Sequence, residues 1–195
     1  EETADALESI YRSGKALYIG ISSYSANKTR EMIKILNSRG IKLFIHQPSY
    51  SMINRWIEKD LTKTLTKNGV GCIAFSPLAQ GFLSNKYLKG IPRGTRVSEN
   101  SSFSKDLITK NNLKIINNLN SIAKKRNQSL SQLALAWVLN NKAVTSALIG
   151  VRTVAQLKDN LAALNNLKFT KDEIKKIDKT AKEGNINLWA PSSSY

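Results

Sequence analysis

The sequence predicts an α/β protein built on a parallel sheet, and three observations predict it. Four short runs, Leu17 to Ile21, Leu43 to Ile45, Gly71 to Phe75 and Thr145 to Ile149, are continuously apolar rather than alternating, as expected of strands buried on both faces. Segments with apolar residues at helical spacing lie between them. Capping boxes, in which an N-cap hydroxyl and a side chain three residues on exchange hydrogen bonds with the first turn, mark helix starts at Ser129/Gln132, Thr153/Gln156 and Thr170/Glu173.

The opening residues read as a helix with Ala6, Leu7, Ile10 and Tyr11 on one face, ended by Gly14. After the first strand, Glu31 to Asn37 carries Met32, Ile33, Ile35 and Leu36 at helical period, and Ser129 to Asn140 carries Leu130, Leu133, Ala134, Trp137 and Val138. Thr153 opens a helix with Val154, Leu157, Leu161 and Leu164 along one side, and Thr170 opens one with Ile174, Ile177 and Ala181. The order is a helix, four parallel βα units and one extra C-terminal helix. No internal repeat is present. Residues 84–105 form a polar stretch too long for an ordinary loop, a length found in lids or disordered segments, and the tail 184–195 is irregular, with Leu188 and Trp189 to pin it.

Composition bounds the rest. At 195 residues, 41% hydrophobic and 23% charged, the chain is long enough for one domain with its own core, so disorder is set aside. No run reaches the ~18 apolar residues of a membrane span, and Glu1 to Asp5 lack a signal peptide's basic-then-apolar layout. The single cysteine, Cys72, makes no internal disulfide, and one histidine is too few for a Cys/His zinc site, while carboxylate metal sites stay open. The net charge of +16 points superficially to nucleic acid, but 22 of the 30 basic residues are lysines spread along the chain among 19 asparagines. Such a spread reads as a solvated surface, and no nucleic-acid partner is expected. An anionic small ligand gains from that field all the same.

In parallel α/β folds, ligand-binding groups gather past the carboxyl ends of the strands, where loops converge and helix N-termini point their amides outward. Here those positions hold Ser22 to Ser25, His46 to Tyr50, Ser76 to Gly81 and Gly150 to Thr153, rich in amides and hydroxyls with an aromatic at Phe75. The set suits holding a polar, partly aromatic ligand better than attacking one. Ser22 or Ser76 as a nucleophile would need a base, and His46 sits in no nucleophile elbow or triad spacing, which disfavours a hydrolase. Neither the dinucleotide glycine fingerprint nor a Walker loop is present.

Three stretches, Gly14 to Tyr24, Ile45 to Tyr50 and Ile73 to Gly81, resemble the aldo-keto reductase superfamily. Within it they resemble the branch of bacterial L-glyceraldehyde 3-phosphate reductases and the related potassium-channel β subunits. The resemblance runs from the first residue to about Trp189 and implies the C-terminal half of a (β/α)8 TIM barrel, so that residues 1–195 form a single partial barrel domain. A complete barrel needs ~250 residues, which leaves roughly the first 130 to 150 unrepresented. The family reduces aldehydes and ketones by hydride transfer from NADPH. Its catalytic Asp, Tyr, Lys and His belong to the half not represented here, so no catalytic residue is assigned, and His46 is read as a packing or hydrogen-bonding residue.

What carries over is the grip on the cofactor. Ser22, Ser23 and Gln47 match positions that bond the nicotinamide amide, Ser23 standing where many relatives have Asn. Phe75 matches the aromatic that stacks on the nicotinamide ring. Ser76, Pro77, Leu78, Gln80 and Gly81 match the loop around the pyrophosphate and ribose, and Lys86 and Arg96 match basic positions over the phosphates. Gly150, Arg152, Gln156, Asp159 and Asn160 match the surroundings of the adenosine and its 2′-phosphate, where a helix start presents its positive end. Gln156 has a second explanation as the partner in the Thr153 capping box. The preference for NADPH over NADH rests chiefly on Arg152. The resemblance also implies a cytoplasmic protein, a small carbonyl substrate, phosphorylated in the case of a triose phosphate, and self-association through exposed sheet edges. The alternative is a nicotinamide-sensing regulatory module of the channel β-subunit kind.

Overall fold

The computed structural model describes residues 1–88 and 109–181; Arg96, most of the long polar stretch and the tail with Leu188 and Trp189 lie outside the described residues. Strands β1 (Ile19–Ser22), β2 (Leu43–Gln47), β3 (Gly71–Ala74) and β4 (Ser146–Ala147) form one sheet in that order. Every pairing in it is parallel. This is the expected α/β arrangement, part of a (β/α)8 barrel, because parallel neighbours must be joined by crossovers and the crossovers here are helical.

Helices α1 (Glu2–Arg12) and α2 (Ala26–Ser38) flank β1, and α3 (Leu61–Asn68) joins β2 to β3. Two helices, α4 (Lys110–Lys125) and α5 (Leu130–Asn140), precede β4, and α6 (Val154–Leu161) and α7 (Lys171–Thr180) follow it. The four βα units of the sequence reading include a helix after the second strand, to which no residues were assigned, and α4 was not placed at all. Helix α3 is short, stopped by Gly69 in the left-handed region at φ 62°, and has few apolar residues to show a period. Helix α4 is rich in asparagine, a weak helix former, and owes its place to Ile116, Leu119 and Ala123, which are fully buried.

The capping boxes at Ser129/Gln132 and Thr170/Glu173 form as expected, with both reciprocal bonds present. At α6 only half does: the Thr153 hydroxyl accepts from Gln156 N–H at 3.2 Å, but the Gln156 side chain takes the N–H of Arg152 instead, at 2.8 Å. In α5 the five residues that define the apolar period are all buried, Trp137 at 5% exposure and the other four at 0%. Each of the large ones contributes roughly 1.5 to 3 kcal/mol of transfer free energy to its docking.

One expectation fails in an informative way. The strands are not covered on both faces. Strand β1 alternates buried and exposed residues, Leu17 and Tyr18 are 80% and 65% exposed, and the strand begins only at Ile19. Phe44 at 47% and Leu148 at 51% stand on the uncovered side, and Tyr18 stacks on Phe44 with ring centroids 4.3 Å apart. The core lies between the sheet and its helices, and the second face is open. A register irregularity sits in the β1–β2 pair, where Ile19 faces Leu43 but Gly20 faces Ile45, leaving Phe44 as an extra residue. The fourth apolar run, Thr145 to Ile149, is strand only over its middle two residues.

Candidate cofactor site

The loops that leave the carboxyl ends of the strands lie along one rim. Past β1, the Ser22 hydroxyl donates to the Gln47 carbonyl at 2.7 Å and the Ser23 N–H donates to the same oxygen at 3.1 Å, so three of the expected residues meet at one point. Past β2, the chain continues beside β3: Phe75 N–H donates to Pro48 O at 3.0 Å and its carbonyl accepts from Tyr50 N–H at 3.1 Å. These backbone bonds place Phe75 next to the Gln47 segment.

Past β3, the chain turns through a strained loop. Ser76, Ala79 and Gln80 have φ of 53°, 47° and 56°, and Ser23 across the rim has 60°. Among the described residues only Asn127 shares this left-handed conformation without being glycine. Such geometry costs about 1 kcal/mol or more per residue and persists where a ligand-binding loop requires it. Gly81, at φ 95°, completes the turn, with no atom within 4 Å of where a Cβ would stand.

A cavity of about 520 Å³ opens beside that loop. Ser76, Pro77, Leu78, Gln80 and Gly81 form one wall with Lys86, and Gly150, Arg152, Gln156, Asp159 and Asn160 form the other. Eleven of the residues picked out from the sequence therefore share one cavity. Ser22, Ser23, Gln47 and Phe75 are outside its lining and reach it through the Phe75–Ser76 link of the chain. Tyr87, Leu148 and Ser131 also line it and were not singled out from the sequence. Tyr87 and Ser131 follow no strand directly, so no rule about strand ends could find them.

The electrostatics favour an anion. Among the described residues neither Lys86 nor Arg152 has an ion-pair partner. The lone carboxylate of the lining, Asp159, is turned to helix α5, where it accepts from Gln132 Nε2 at 2.7 Å and from the Ser129 hydroxyl at 3.1 Å. The start of α6 adds its amides at the same wall. Gln80 Oε1 is buried with no hydrogen-bond partner, an acceptor that a ligand hydroxyl or amide would satisfy.

His46 stands behind the rim. It is fully buried, neither ring nitrogen has a hydrogen-bond partner, and burial lowers it to about 4 against a weaker raising effect of the Tyr24 backbone. It therefore stays a neutral packing residue, the first of the two roles the sequence left open. Burial likewise pushes the Cys72 thiol up to about 12, which leaves it an inert core residue. Among the described residues no cluster of His, Cys, Asp and Glu could hold a metal, and no helix is long and apolar enough to cross a membrane.

Fold and rim together define a class: a parallel βα half-barrel with an anion-favouring cavity at its strand ends. The chain belongs to the aldo/keto reductase family, whose model matches residues 1–182. An L-glyceraldehyde 3-phosphate reductase of Escherichia coli is 48% identical over 198 residues, covering 99% of this chain and 57% of that protein. A putative voltage-gated potassium channel subunit beta of Schizosaccharomyces pombe is 34% identical over 185 residues, 91% of this chain and 54% of the relative. An uncharacterized oxidoreductase of Bacillus subtilis, YrpG, is 34% identical over 165 residues, 84% of this chain and 49% of the relative. Both branches expected from the motifs are thus represented. The chain spans about half the length of these curated relatives.

Proposed function

We propose that this chain is the cofactor-holding half of an NADPH-dependent reductase of small aldehydes or ketones. The observation that carries the reading is the shared cavity, with one wall made by the strained Ser76–Gly81 loop and the other by unpaired Arg152 at the start of α6. Bound NADPH supplies a hydride to a carbonyl carbon. The residues of this chain hold and orient. Ser22, Ser23 and Gln47 offer hydroxyl and amide groups to the nicotinamide carboxamide, and Phe75 offers a ring face that selects which side of the nicotinamide is presented. Gln80 Oε1 accepts from a ribose hydroxyl, while Lys86, joined by Arg96 beyond the described residues, neutralises the pyrophosphate. Arg152 pairs with the 2′-phosphate, Gln156 holding its backbone N–H, and Asn160 and Gly150 shape the adenosine end.

The proton donor belongs to a part of the barrel that residues 1–195 do not contain. The chain alone is inactive in this reading, self-associates through its open face, and acts in the cytoplasm as a single barrel domain with its missing half. A phosphorylated aldehyde such as a triose phosphate is the proposed substrate, supported by 48% identity to the L-glyceraldehyde 3-phosphate reductase. Titration with NADPH, followed by tryptophan fluorescence, tests the cofactor claim. Arg152→Ala is expected to weaken NADPH by about tenfold or more and NADH by much less, since one charge-assisted pair is lost only with the former. Equal losses would remove Arg152 from the 2′-phosphate.

The second reading, a nicotinamide-sensing module without turnover, is supported by 34% identity to the channel β subunit. The two part company on the complete protein: steady NADPH oxidation with an aldehyde favours the reductase, and binding without turnover favours the module.

A further inference from the structure

Phe75 is held from both sides by the segment 48–50, through the bonds of its N–H to Pro48 O and of its carbonyl to Tyr50 N–H. That segment is in turn fixed by two aromatic side chains that do not line the cavity. Trp56 Nε1 donates to Ser49 O at 2.8 Å. The hydroxyl of Tyr50, a residue only 2% exposed, donates to Glu58 Oε1 at 2.7 Å and accepts from Asn141 Nδ2 at 3.1 Å.

Arg55 sits at the centre of this arrangement. Its Nε donates to the same Glu58 oxygen at 2.9 Å, and its terminal nitrogen meets Asp178 of α7 at 2.7 Å. The guanidinium carbon lies 4.7 Å from the ring centroid of Trp137 on α5, which itself packs on Tyr50 at 5.2 Å. A planar fork that bonds two carboxylates while lying over an aromatic ring is a task for arginine and not for lysine. These bonds are charge-assisted and half-buried, so they resist displacement by water, and losing the guanidinium leaves Glu58 beside Tyr50 without its counter-charge.

We propose that Arg55 is a positioning residue for the nicotinamide end of the site: through Glu58 and Tyr50 it fixes segment 48–50, and through that backbone it fixes Phe75 at the rim. The inference rests on the cofactor reading above. Its signature is differential. On the cofactor reading Phe75 serves the nicotinamide, whereas the phosphate-bearing adenosine end is held by Arg152 and Lys86 on other loops, which among the described residues share no ion pair with Arg55 or Glu58.

The test titrates the chain and its Arg55→Gln variant with NADPH and with adenosine 2′,5′-bisphosphate, by calorimetry, after circular dichroism has shown both proteins folded. Arg55→Gln is expected to weaken NADPH about tenfold and to change the bisphosphate by less than about twofold, with Arg55→Lys recovering part of the loss. An equal loss for both ligands, or no loss for NADPH, overturns the positioning role. If Arg55→Gln does not fold, Tyr50→Phe, which removes only the bridging hydroxyl, decides the matter by the same comparison. An unmodified chain that binds neither ligand defeats the cofactor reading and this inference with it. One that binds both, with the variant unchanged, defeats the inference alone.

Discussion

His46 shows at the scale of one residue how a strand-end position is settled by the layer it faces. Its ordinary value is 6.5 and burial lowers it to about 4, so between those pH values the unfolded chain takes up a proton that the folded chain refuses. Stability from this group is complete above pH 6.5 and is lost as pH falls toward 4, by up to about 1.4 kcal/mol per pH unit. Urea midpoints measured at pH 7, 5.5 and 4.5 are expected to fall along that window, and His46→Leu to flatten the fall. Gly20 makes a second point. A Cβ there would stand 2.7 Å from Ile45 Cγ2 and 3.0 Å from Ile45 O, so Gly20→Ala is expected to cost about 1 to 3 kcal/mol by thermal unfolding, although Gly20 is itself exposed.

At the scale of the element, the helix starts were legible because one short-range bond pattern decides them. Ser129 and Thr170 each carry both bonds of their box, and the distant partners, Asp159 at the first and Arg126 at Glu173 of the second, add to those bonds without displacing them. Ser129 does more, since its hydroxyl also reaches Asp159 on α6. Thr170→Ala is expected to cost about 1 kcal/mol, and Ser129→Ala more, with the difference abolished in the Asp159→Asn background; a double-mutant cycle on denaturant midpoints measures it. What sequence could not tell was set by distance. Gln156 completes a capping box on paper, yet its amide oxygen takes the Arg152 N–H, because the loop entering α6 bends that group within reach. The cavity wall from Ser76 to Gly81 was legible as a loop past a strand, whereas Tyr87 and Ser131 join it only through tertiary folding.

At the scale of the molecule, the open face dominates. The continuity of the apolar runs was correctly read as parallel sheet, but the expectation of two covered faces is not met among the described residues. Tyr18, Phe44 and Leu148 remain exposed in or beside the strands, and Val154, Leu161 and Leu164 remain exposed on and just after α6. Parallel sheets are almost always covered on both sides, and unpaired edges attract other strands. The chain alone is therefore expected to elute from size exclusion larger than its 21.7 kDa and to shift toward that mass as dilution or mild denaturant weakens the contact. Sharp elution at the mass of one chain at high concentration would contradict this. Folded together with a complementary barrel half, it should lose the tendency.

The supernumerary Phe44 has one more effect, on phase. In a strand of strict two-residue repeat, Leu43 beneath the helices would put Ile45 and Gln47 beneath them too, with His46 on the uncovered side. The insertion shifts the beat by one: His46 goes under the helices, and Gln47 emerges opposite Ser22. Excising Phe44 alone would leave Leu43, Ile45, His46 and Gln47 meeting Ile19 to Ser22 one for one, with His46 still inward and Gln47 still at the rim; drawing Phe44 into the ladder would instead invert everything downstream, so the chemistry at the end of this strand hangs on one residue in the middle of it staying out of step.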